Sequence, residues 1–72
     1  MIEIILDCYD SRVYSTKATL QLHVRRVKNG MYFKMWDLDR KELVAIFRVS
    51  NSDFKEFLML AKALLEMEVE EK

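Results

Sequence analysis

Tyr32, Lys34 and Trp36 alternate along one short stretch, and His23, Arg25, Arg26 and Lys28 precede them across an Asn29-Gly30 pair. At a strand's period of two, residues 32, 34 and 36 share one side. Rings interleaved with cations are the means by which single-stranded nucleic acid is held: bases stack on the rings while the cations follow the phosphates. The same residue types anchor protein–protein interfaces, where Trp, Tyr and Arg dominate the binding energy. Cross-strand packing on a half-solvated sheet would also use them.

Other chemistry is thin. Cys8 is the only cysteine and His23 the only histidine, too few soft ligands for a closed zinc site, and no disulfide can form within the chain. Cys8 alternates with Leu6 and is expected in the core as an unreactive thiol. Asp37, Asp39 and Glu42 cluster, but the glycine and further ligands of a calcium loop are missing, so a solvated turn is expected and no metal. Gly30 is the only glycine, which excludes a glycine-rich phosphate loop. No nucleophile has an evident base and orienter. The expectation is a binding protein without cofactor, not an enzyme.

The elements that must position these residues follow from periodicity. Residues 2–9 read as a strand with Ile2, Ile4, Leu6 and Cys8 on one face and Glu3, Ile5, Asp7 and Tyr9 on the other. Asp10-Ser11-Arg12 is a turn candidate. Residues 13–28 form one long strand or two joined by a bend. Asn29-Gly30 is a type I′ hairpin signal, since both residues tolerate positive φ. A two-residue loop there sets Val27 opposite Tyr32, Arg25 opposite Lys34 and His23 opposite Trp36. One face then collects Leu20, Leu22, Val24, Met31, Phe33 and Met35. The other collects Gln21, His23, Arg25, Val27, Tyr32, Lys34 and Trp36. A second turn lies within residues 39–42, before the last strand. An even loop there puts Val44 and Ile46 on the core face, and an odd loop or a bulge reverses this. The preferred alternative has Leu43, Ala45, Phe47 and Val49 in the core.

Ser50 with Asp53 three residues on marks a helix start, with Val49 and Phe54 placed as a hydrophobic staple. Phe54, Phe57, Leu58, Ala61, Leu64 and Leu65 make a stripe expected to face the sheet. Met59, Leu60, Ala63 and Met67 widen it beyond what one sheet face covers, and are the candidate dimer interface. The fold class is therefore α+β: a four-stranded antiparallel meander followed by one C-terminal amphipathic helix (ββββα), a single domain over 1–72 with its sheet in 1–49 and its helix in 50–70.

Size and charge bear on partners. The chain has 72 residues and 51% hydrophobic composition. A domain this small buries only roughly 60% of its unfolded surface and usually needs a staple. With disulfide and zinc excluded, the staple expected is a second copy, as a homodimer or a higher oligomer. Net charge is zero, from 12 basic and 12 acidic residues, yet no acidic residue stands between Arg12 and Lys34, while residues 66–72 are mostly glutamate. A neutral total thus holds a basic region and an acidic end. Residues 2–6 lack the features of a signal peptide, and no stretch has the roughly 20 apolar residues that span a bilayer, so a soluble, cytoplasmic protein is expected.

In strand–helix order and in the segments VRRVKNGMYFKMWDL and IFRVSNSDFKEFLMLAKALL, the chain resembles the single-strand-binding proteins of the transcriptional positive cofactor 4 family and the related ThermoDBP-like group. The resemblance implies a curved sheet that binds single-stranded DNA and C-terminal helices that build a dimer. By likeness of position it implies Arg25, Lys34 and Trp36 as binding residues, with Tyr32 beside them. The partner expected from both arguments is single-stranded DNA or RNA, contacted by His23, Arg25, Arg26, Lys28, Tyr32, Lys34 and Trp36. The alternative is a protein-interaction module using the same aromatic face.

Overall fold

The computed structural model describes residues 2–12 and 16–69. Four strands, β1 (Glu3–Cys8), β2 (Leu20–Val27), β3 (Gly30–Asp37) and β4 (Glu42–Val49), form one antiparallel sheet in the order β1-β2-β3-β4, and α1 (Asn51–Glu66) follows. This is the expected ββββα meander. The strand expected from residue 13 lies partly on residues 13–15, and the expected helix end at 70 also lies outside the described residues. Within them β2 begins at Leu20, and α1 stops at Glu66, where the Met67 N–H bonds to the Leu64 carbonyl. None of the helices among the described residues is long and apolar enough to cross a membrane.

The first hairpin differs from expectation by two residues. Its turn is Lys28-Asn29, and Gly30 already pairs with Val27, so that Arg25 stands opposite Tyr32, His23 opposite Lys34 and Gln21 opposite Trp36. The type I′ turn is not made: Lys41 is the only non-glycine with positive φ among the described residues. Gly30 serves β4 instead. At φ +152° it lets the end of β4 approach so closely that a Cβ there would collide with the Val49 carbonyl oxygen and lie 3.0 Å from its carbon. Arg48 secures the same corner by donating from Nη1 to the Asn29 carbonyl at 2.6 Å. A slip of two residues preserves parity, so each side chain keeps the face expected of it.

The second hairpin turns through residues 38–41. Asp37 Oδ1 accepts from the backbone N–H groups of Asp39 and Arg40, both at 2.9 Å, and Lys41 adopts φ 56°. The loop is even, but the pairing shifts between Met35 and Trp36. Met35 faces Ala45 and Phe33 faces Phe47, which puts Ala45, Phe47 and Val49 on the core face as preferred. Leu43 is the exception: beyond the bulge it pairs with Trp36, on the opposite face.

Ser50 caps α1, its Oγ accepting from the Asp53 N–H at 3.2 Å. Phe54 then packs its ring against Phe33 (centroids 5.8 Å apart), which in turn stacks on Phe47 at 5.3 Å. Contact with the sheet ends near there. Phe57, Leu58, Leu64 and Leu65 are all more than half exposed. Beyond Phe54, the stripe expected to face the sheet is therefore left largely uncovered by its own sheet. Ser50 alone separates β4 from α1, so the direction in which α1 leaves is set by the strand, the cap and Phe54.

Candidate nucleic-acid interface

The surface is built from the sheet's second face. Working across it, β1 contributes Glu3, Ile5 and Asp7; β2 contributes Gln21, His23 and Arg25; β3 contributes Tyr32, Lys34 and Trp36; and β4 contributes Leu43, Ile46 and Arg48. The antiparallel register sets Arg25 between Glu3 and Tyr32, and Lys34 between His23 and Ile46. Of the expected residues, His23, Arg25, Tyr32, Lys34 and Trp36 are gathered here. Arg26 is not: it points to the other face, opposite Met31, beside the start of α1. Lys28 stands exposed in the hairpin turn at the edge of the surface.

Side-chain contacts divide this face in two. Toward β1, Gln21 Nε2 donates to Asp7 Oδ1 at 3.1 Å, Gln21 Oε1 lies 3.0 Å from His23 Nε2, and His23 Nδ1 lies 3.4 Å from Glu3 Oε1. Both ring nitrogens of His23 are thus engaged, and its ring is tilted against Trp36 with centroids 6.2 Å apart. Trp36 closes one side of a depression of about 300 Å³ lined also by Gln21, His23, Asp37, Leu38 and Lys41. Toward β4, Tyr32 stands between Arg25 and Arg48, and Lys34 follows two residues on. The Arg25 Nε is shielded from solvent and has no hydrogen-bond partner among the described residues.

Among the described residues, no three His, Cys, Asp or Glu side chains gather as a metal site. Asp37 spends an oxygen on closing its turn, and Cys8, half-buried on the core face, directs its thiol to the Leu6 carbonyl at 3.7 Å. Arg48 and Ile46 reach this face through the bulge, as the preferred register of β4 requires, although neither stands among the expected contact residues; Leu43, expected in the core, joins the face beyond the bulge. Glu3 was assigned to the correct face of its own strand, but only the pairing of β1 with β2 brings it against His23.

Comparison with protein-family models, curated proteins and solved structures returned no match.

Proposed function

We propose that this chain binds single-stranded nucleic acid, DNA in the first instance, on the face carrying Tyr32, Lys34 and Trp36, and that it works as a homodimer without cofactor or catalysis, as the resemblance to the positive cofactor 4-like and ThermoDBP-like proteins implies. The observation that carries the reading is the placement of both rings on one open sheet face with Lys34 between them and Arg25 and Arg48 flanking Tyr32. Bases would stack on Tyr32 and Trp36, the depression beside Trp36 offering room at one end. Phosphates would be followed by Arg25, Lys34 and Arg48, with Lys28 at the rim. Glu3 and Asp7 bound the surface on the β1 side and would steer a polyanion toward β3 and β4.

The test is a titration with a poly-thymidine oligonucleotide followed by the fluorescence of Trp36, the only tryptophan. Saturable quenching that weakens with salt is expected, because capture releases counterions. The double variant Arg25→Glu/Lys34→Glu should abolish it; unchanged affinity in that variant would sink the proposal. A protein partner is the second reading. It is favoured by Ile5, Leu43 and Ile46, which are 52%, 43% and 54% exposed on the same face. It predicts no oligonucleotide binding at all and a partner recovered through Trp36.

A further inference from the structure

Val24, at 5% exposed, is the only buried apolar side chain among the described residues. Around it the apolar face of the sheet is open: Ile4, Leu6 and Phe47 are each about half exposed. Along α1, Phe57, Leu60, Leu64 and Leu65 are 57%, 53%, 68% and 87% exposed. Two complementary apolar surfaces thus lie on one chain and meet only at the start of α1, where Phe54 touches Phe33. They cannot meet further by a small rotation, because a single residue joins β4 to α1 and the Ser50 cap with the Phe54–Phe33 contact fixes the exit of the helix. α1 has no glycine or proline at which to bend back.

We infer that a second copy of this chain closes the structure, with α1 of each protomer laid across the apolar sheet face of the other. The area supports a second copy. The chain exposes 6732 Å², roughly 2,000 Å² more than the surface expected of a compact monomer of its mass. Burying that excess on each of two protomers gives a total of about 4,000 Å², inside the range of obligate homodimers. The radius of gyration agrees, at 14.3 Å against about 11 Å for a compact domain of this length. Dimensions fit as well. A helix of 16 residues is about 24 Å long, and four strands span about 14 Å between the outer two, so one helix reaches across a whole sheet. Helix-on-sheet contact is reciprocated by a two-fold axis, since each chain supplies both halves. Covering this face leaves the aromatic–basic face of both protomers open.

The inference gives a geometry to the homodimer proposed above and does not depend on the ligand. Its test is an isotope-filtered NOE experiment on an equimolar mixture of ¹³C-labelled and unlabelled full-length protein, with mass measured by light scattering in the same sample. The expected result is a mass of at least two chains and intermolecular NOEs from Phe57, Leu60 and Leu64 to Ile4 and Leu6. A mass of one chain overturns it. So does a larger mass with intermolecular NOEs between helices alone, or with helix-to-sheet NOEs only within a chain. Failure of the oligonucleotide titration beside the expected NOEs would remove the ligand and leave this assembly standing.

Discussion

Trp36 and Tyr32 share one face of β3 with Lys34 between them, so removing either ring leaves the cations of the surface in place. Trp36→Ala and Tyr32→Ala should each weaken single-strand binding by about 1–3 kcal/mol, roughly fivefold to 150-fold, with the salt dependence unchanged. Lys34→Gln should do the converse, lowering the slope of log affinity against log salt by about 0.7 while each base still stacks. Anisotropy of a labelled oligonucleotide at several salt concentrations separates the two effects. Asp10 offers a local test of the opposite end of the chain. Its carboxylate accepts from the Arg12 guanidinium at 2.9 and 3.0 Å and from the Arg12 backbone N–H at 2.9 Å, which hold its pKa down to about 2. A depressed carboxylate favours the folded turn above its unfolded pKa and loses that contribution as pH falls through the folded value. The Asp10 carboxyl resonance should therefore titrate near pH 2, and Arg12→Ala should move the midpoint up toward the ordinary 3.8, without unfolding the exposed turn.

At the scale of elements, the Gly30 corner and the Ser50 cap govern how β4 and α1 leave the sheet. Gly30→Ala places a methyl against the Val49 carbonyl at a backbone conformation that L residues rarely adopt, and should cost about 1–3 kcal/mol in chemical denaturation. Ser50→Ala removes the acceptor for the Asp53 N–H and should cost about 1 kcal/mol. The cap was legible from Ser50 and Asp53 alone because capping is local chemistry. The division of β2 and β3 into two faces was legible for a different reason. Alternation depends only on parity, and the slip from an Asn29-Gly30 turn to a Lys28-Asn29 turn changes partners without changing faces. What was not legible depended on contacts remote in sequence. Gly30 is claimed by the approach of Val49, the bulge beside Met35 carries Leu43 to the Trp36 side, and the departure of α1 from its own sheet follows from the strand–helix junction. The candidate surface inherits this pattern: Tyr32, Lys34 and Trp36 were evident from spacing, whereas Arg48 and the Glu3–His23 contact needed the register.

For the whole molecule, a chain with one buried apolar side chain among its described residues has little to gain by folding alone. Conformational entropy costs of order 1–2 kcal/mol per residue, and apolar burial is the main term that offsets it. If the missing burial is supplied by a second copy, unfolding and dissociation are one event, and stability depends on protein concentration. The direction and size of that dependence follow from mass action. A tenfold rise in concentration favours the dimer by about 1.4 kcal/mol, and two chains of this length unfolding together carry an entropy change that turns this into a rise in Tm of about 5 °C. Thermal unfolding by circular dichroism at 5, 50 and 500 µM should therefore step upward by that amount each time. Leu64→Glu, which places a charge in the exposed helix stripe, should lower Tm at every concentration if that stripe is covered in the assembly. Melting curves that superimpose across the hundredfold range would mean that the sheet and helix hold together within one chain, and the half-exposed side chains of Ile4, Leu6 and Phe47 would then be an apolar surface that the folded protein keeps in water.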